Sequence, residues 1–309
     1  MRFGVALENF TPPAREPSVS SIYEMAESSE KLGFDSVWVW DHLLLGSRKV
    51  FPVLDSLTLL ASIGARTSKI KLGTSVLILS LRNPVVVSKV LSTIQYLTKG
   101  RLIIGAASGW YKREFDATGI PFEKRGKIFE ERFNLVKSLL NENDVNYDSG
   151  GMRIEHASMQ PKSDIPIPML LGGYSHNVLE RVGRIADGWI CYYYTASDYK
   201  ESWKVIESSA RENGRAAEYL RKVNIVPLAI AESYEEGDRI AKDFTSKYMD
   251  LPKNTACTPE SSVRGTVEDC ISQIKEYENA GVQDLVFIPC FYDLKYIELA
   301  AKEILPKFT

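Results

Sequence analysis

His42 is the side chain whose type and position best suit proton transfer. It follows the apolar run Ser36-Val-Trp-Val-Trp and Asp41. A strand ending there presents an imidazole just beyond its last buried residue, and imidazole suits acid–base work near neutrality. The other role open to an isolated histidine is a structural hydrogen bond. Asp41 either orients that ring or forms a salt bridge at the rim. Metal-assisted hydrolysis fits poorly: the only histidines are His42, His156 and His176, with no His-x-His pair, and such sites need several converging His and carboxylate ligands.

Three further groups share the pattern of a buried run ending in small or polar residues. Ser75-Val76 sits within the apolar stretch Lys71 to Leu79. Ala106-Ala107-Ser108-Gly109-Trp110 ends the run begun at Arg101; small residues there let a ligand lie against the backbone, and Trp110 either lines a pocket or covers the rim. Gly172-Gly173-Tyr174-Ser175 follows Ile167 to Leu171. It is either a phosphate-holding turn or a tight turn with Ser175 as an N-cap. Tyr192-Tyr193-Tyr194 offers a substrate wall or surface packing, and Glu8 a substrate-side carboxylate. Together these ends suit a flat, partly apolar ligand with polar edges. Glu114 is expected to be structural, paired with Arg125.

Eight apolar strands must position these groups. They are expected at Arg2–Leu7, Ser36–Trp40, Lys71–Leu79, from Arg101, Ile167–Leu171, Gly188–Cys191, Val223–Ile230 and Asp284–Pro289. Helical periodicity separates them over Ser18–Leu32, Leu54–Ala65, Pro84–Leu97, Phe122–Leu140, Val178–Ile185, Tyr199–Asn213, Tyr234–Met249 and Thr266–Ala280, with a last helix at Leu294–Leu305. In the helix from Phe122, Ile128, Phe129 and Phe133 face the core or a dimer interface. Asn146–His156 reads as a hairpin, and Leu251–Val263 as a loop long enough to form a lid. This alternation predicts one α/β domain over residues 1–309, a (β/α)₈ TIM barrel with loop insertions. A doubly wound open sheet is the other architecture; its early Gly-rich dinucleotide fingerprint is missing.

The unit from Ile70 to Phe115 carries a resemblance. Gly-Thr-Ser-Val-Leu, Arg-Asn-Pro, Gly-Arg-Leu and Gly-x-x-x-Gly-Trp-x-x-x-Glu-Phe, in this order, resemble the luciferase-like monooxygenase family of flavin- and coenzyme F420-dependent enzymes. The resemblance covers nearly the whole chain. It implies an F420 site, or alternatively an FMN site, at the strand tips. Asp41, Ser75, Val76, Ser108, Gly109, Trp110, Gly172, Gly173 and Ser175 would line it, with His42 beside the ring as the catalytic group. It implies a bulge with a non-prolyl cis peptide at Ser75-Val76 behind the ring. F420 implies hydride transfer to or from a small organic substrate; FMN would permit monooxygenation. A non-catalytic flavin-binding protein is the reading from another class. Some sugar-phosphate dehydrogenases of the family carry an acidic glutamate where this chain has Trp110, and that departure argues against a sugar-phosphate substrate. Relatives commonly form dimers, so a homodimer is expected.

Composition bounds the rest. The 309 residues are 44% hydrophobic and 25% charged, and 38 basic against 40 acidic residues leave a net charge of −2. That balance offers no footprint for nucleic acid or an anionic membrane. No apolar run approaches the roughly 20 residues of a membrane span. The amino terminus enters a strand directly, so no signal peptide is expected. Cys191, Cys257, Cys270 and Cys290 lack metal-ligand spacing and are expected as free thiols in the cytoplasm.

Overall fold

The computed structural model describes residues 1–248 and 259–308. Its strands are β1 (Arg2–Ala6), β2 (Ser36–Val39), β3 (Lys71–Ile78), β4 (Leu102–Ala107), β5 (Val145–Ser149), β6 (Met152–Ala157), β7 (Met169–Gly172), β8 (Gly188–Tyr192), β9 (Arg221–Ile230), β10 (Val263–Gly265) and β11 (Asp284–Pro289). The helices are α1 (Val19–Lys31), α2 (Ser56–Arg66), α3 (Pro84–Leu97), α4 (Lys112–Thr118), α5 (Arg125–Asn141), α6 (His176–Ile185), α7 (Ala196–Glu212), α8 (Tyr234–Tyr248), α9 (Val267–Asn279) and α10 (Leu294–Leu299).

Eight parallel strands close on themselves. The register runs Val5↔Val37, Val37↔Leu72, Leu72↔Leu102, Ile104↔Met169, Leu170↔Gly188, Ile190↔Val223, Val223↔Asp284 and Asp284↔Arg2. Closure excludes the open doubly wound sheet. All eight expected strands are present, β5 and β6 form the expected antiparallel hairpin, and β10 adds a short pairing to the end of β9. No helix was expected at α4. Residues 251–258 of the expected lid, and Cys257, lie outside the described residues.

Side-chain alternation divides the core in two. Outward positions such as Val5, Val37, Leu72, Ile104 and Phe287 pack under the helices. Inward positions, Ala6, Trp38, Ile103, Leu170, Ile190, Val223 and Val286 among them, fill the barrel. Trp38 is the largest of these. Gly73 makes its place: a Cβ there would lie 2.2 Å from the indole. Phe129 and Phe133 are buried in the outer core, and Ile128 is half-buried.

The amino-terminal ends of the strands are tied electrostatically. The buried Asp284 carboxylate accepts from both Arg2 and Arg221, at 2.6–3.0 Å, across β1, β9 and β11. Nearby, Glu30 of α1 accepts the backbone N–H groups of Ser68, Lys69 and Ile70 at 2.9, 2.6 and 2.8 Å. Burial works against its charge, but these amides outweigh it and hold the carboxyl at about 2 instead of 4.5. A lowered folded value stabilises above the unfolded value and is lost as pH falls through the folded one. Between pH 4.5 and about 2, the wild type should therefore lose more stability than Glu30→Gln. The carboxylate is partly open to solvent, so the difference should be about 1 kcal/mol. Urea melts at several pH values read it out.

Candidate active site at the carboxyl ends of the strands

Trp40-Asp41-His42 continues from the tip of β2. The backbone there is held by Asn9, whose amide accepts from Trp40 N–H at 2.8 Å and donates to Trp40 O at 2.9 Å. His42 keeps 15% of its side chain exposed, and its Nδ1 lies 3.0 Å from Oε2 of the fully buried Glu114. Oε1 of Glu114 also accepts from the N–H groups of Leu43 and Leu44, at 2.5 and 3.0 Å. Burial alone would raise this carboxyl. The hydrogen bond and charge of His42, with the two amides, hold it below its ordinary range. Glu114 thus stays ionised and accepts Nδ1–H, which leaves Nε2 as the ring nitrogen not engaged by Glu114.

Glu114 is therefore the orienting partner of His42, not a companion of Arg125. Arg125 instead donates to Phe122 O and stacks over the Phe122 ring at 4.0 Å. The reason is α4: beginning at Lys112, it turns Glu114 inward beside Phe115. The Glu four residues after Trp110 was the available signal, legible only if that segment is helical. Trp110 sets its ring edge-on to the imidazole at 5.7 Å, so it bounds the site rather than covering the rim.

Asp41 takes the rim role. Its Oδ1 accepts from Arg82 at 2.6 Å and Ser56 Oγ at 3.0 Å, and its Oδ2 from Ile78 N–H at 2.9 Å. It does not touch the imidazole. It ties the tip of β2 to β3 just past an irregularity: pairing with β4 jumps from Thr74↔Ile104 to Leu77↔Ala106. One extra residue on β3 makes a bulge, and within it the Ser75–Val76 peptide is cis. Thr74 Oγ1 donates to Gly105 O and Ser75 Oγ to Val39 O. Val76 is left partly exposed, packed against the barrel interior with Trp40, Tyr192 and Tyr193.

Gly172 at the tip of β7 faces this shelf; a Cβ there would lie 2.8 Å from Val76 Cγ1. Gly173 has φ +135°, a conformation reserved for glycine. Ser175 is exposed and begins α6 in extended geometry, but its hydroxyl makes no capping bond. Ser108 and Gly109 follow β4, both partly exposed, with Gly109 at φ +80° against Ile78 and Phe115. Glu8 is held by Arg15. The expected residues thus fall into a shelf at Ser75-Val76 with Gly172 opposite it, and the His42–Glu114–Trp110 group. Trp40 was not singled out from the sequence as a site residue.

The profile of luciferase-like monooxygenases matches residues 1–284. An F420-dependent glucose-6-phosphate dehydrogenase of Amycolatopsis mediterranei is 24% identical over 314 residues, covering 93% of both chains. A monooxygenase from Streptomyces bottropensis superposes with a TM-score of 0.84 at 19% identity over 100% of both chains. The F420-dependent tetrahydromethanopterin reductase of Methanopyrus kandleri gives 0.79 at 21% identity, over 100% of this chain and 99% of its own. The shared architecture, with a family match spanning the strands from β1 to the start of β11, places the chain in the luciferase-like monooxygenase family.

Proposed function

We propose that this protein is an F420-dependent oxidoreductase that transfers hydride to or from a small organic substrate at the carboxyl face of its barrel. The observation that carries the reading is the bulged Ser75-Val76 shelf, tied through Ile78 N–H to Asp41, next in the chain to a His42 whose Nδ1 is engaged by a buried carboxylate. The residues fit a tricyclic ring: glycine at 172 leaves the space that a Cβ would fill against Val76. Ser75 and Val76 would support the ring. Ser108, Gly109 and Trp110 would border it, and Gly172, Gly173 and Ser175 would hold its phosphate-bearing chain, with Asp41 fixing the shelf from behind. The deazaflavin supplies a hydride acceptor or donor when bound. His42 Nε2 takes or returns the proton that balances the hydride at the substrate oxygen. The 24% identical F420-dependent relative supports deazaflavin over flavin.

FMN-dependent monooxygenation is the second reading, favoured by the whole-chain likeness to a monooxygenase. Equilibrium titration followed by fluorescence separates the two. Saturable F420 binding with FMN bound at least tenfold more weakly is the expected result; the reverse order overturns it. Bound coenzyme without turnover of any alcohol or carbonyl compound would favour a non-catalytic flavin-binding protein.

We propose a cytoplasmic homodimer. Among the described residues no helix is long and apolar enough to cross a membrane. Cys191, Cys270 and Cys290 are free thiols. On α3, Val86, Val90 and Leu97 share one face and are 63%, 37% and 66% exposed, a grouping typical of protein–protein contact. Light scattering should give twice the chain mass for the wild type and one chain mass for Val86→Glu/Leu97→Glu.

A further inference from the structure

Trp40 Nε1 is a buried donor with no hydrogen-bond partner. The fold satisfies its other barrel indoles: Trp38 Nε1 donates to Ser36 Oγ at 2.9 Å, and Trp189 Nε1 to Gly173 O at 3.0 Å. Trp40 lies at the tip of β2, two residues before His42. Its backbone is fixed by Asn9, so the indole N–H plays no part in holding the loop. An unmade bond at a buried N–H is costly, and a ligand that brings an acceptor recovers it.

The neighbours of that indole are rings. Phe10 meets Trp40 edge-on at 5.8 Å, Trp40 meets Tyr192 at 6.0 Å, and Tyr192 meets Tyr174 at 5.6 Å and Tyr193 at 5.9 Å, all within about ten degrees of perpendicular. These rings come from the segments after β1, β2 and β7 and from the end of β8, and all five are partly exposed. Trp40, Tyr192 and Tyr193 share an apolar cluster with Val76 of the shelf. A ligand ring brought against such a cluster would favour the same edge-to-face or offset-stacked contacts. Beside the strand tips Arg15 is paired with Glu8, Arg82 with Asp41 and Asp55, and Arg113 donates to Gly46 O. A phosphorylated substrate would need charge-assisted partners.

We infer that the substrate is a neutral, ring-bearing compound with an acceptor oxygen, its ring lying along the Phe10–Trp40–Tyr192–Tyr193 wall and its oxygen accepting from Trp40 Nε1. This rests on the proposed function for the chemistry at that oxygen, but the binding site is testable apart from it.

Ligand-observed NMR titration of the full chain would compare acetophenone, ethylbenzene and glucose 6-phosphate. Acetophenone should bind the wild type and weaken about tenfold in Trp40→Phe, which keeps a ring and removes the N–H. Ethylbenzene, lacking an acceptor, should bind both proteins alike. Tyr192→Leu should weaken both ring probes by a similar factor and keep the difference between them. Glucose 6-phosphate should displace neither. Equal acetophenone affinity in wild type and Trp40→Phe would overturn the inference, as would displacement by glucose 6-phosphate or failure of both ring probes to bind. An F420 titration of the same samples separates the two proposals. Ring discrimination without F420 binding ends the coenzyme reading and keeps the wall; F420 binding without ring discrimination does the opposite.

Discussion

Replacing His42 with alanine should lower kcat by roughly 10²–10⁴-fold, the range for loss of a positioned acid–base group, while F420 affinity changes by less than threefold. Stopped-flow turnover beside equilibrium titration measures both. The argument rests on Nδ1, which is committed to Glu114 at 3.0 Å. With that atom fixed, the tautomer is fixed, and Nε2 is free to exchange a proton. Glu114→Gln keeps an acceptor for Nδ1 but turns an NH₂ group toward His42 or toward the Leu43 and Leu44 amides. It should therefore lose activity by about tenfold or more without losing the coenzyme. The carboxyl of Glu114 is held below its ordinary range, so its contribution to stability is complete above that range and falls away as pH drops through the lowered value. Unchanged turnover in His42→Ala removes the imidazole from the mechanism.

Arg101→Leu should cost about 3–5 kcal/mol of stability, because it strips a buried charge-assisted network of its donor. Arg101 is 7% exposed. Its Nε donates to Thr98 O at 2.9 Å; one terminal nitrogen donates to Thr67 Oγ1 and Ile70 O at 2.8 and 3.1 Å, the other to Gly64 O and Thr67 O at 2.6 and 3.0 Å. Leucine fills part of the volume and satisfies none of these acceptors. Urea denaturation should show a lower midpoint at unchanged slope. Arg101 lies at the amino-terminal end of β4, opposite the site, so kcat/KM of the folded fraction should stay at the wild-type level. A change below 0.5 kcal/mol would show that water replaces the guanidinium at little cost.

Much of the framework is legible locally. Helical spacing in α1, α3 and α7, continuous apolar runs in β3 and β4, and Gly100 and Gly281 after helices are read within a window of a few residues. The pleat and the helical turn impose those periods directly. The family motifs within residues 70–115 pointed to the bulge at Ser75-Val76, and the end of the apolar run Ser36–Trp40 pointed to His42. The short α4 escaped because seven residues scarcely cover two turns, too few for a periodic signal, and its stability comes from burying Phe115.

By itself, then, the amino-acid order determined the eight barrel strands, their alternation with helices, and which side chains stand at the strand tips; closure came from the pairing of β11 with β1 and β9. Only the tertiary structure decided which of those side chains meet. Glu114 reaches His42 across 72 residues, Asp41 turns to Arg82 and the β3 amide instead of the adjacent imidazole, and Trp40 is left without an acceptor among rings drawn from four segments. Periodicity is a property of neighbours along the chain. Pairing among carboxylates, arginines and aromatic rings is a competition through space, settled by burial and by which donors the fold brings within about 3 Å of an acceptor.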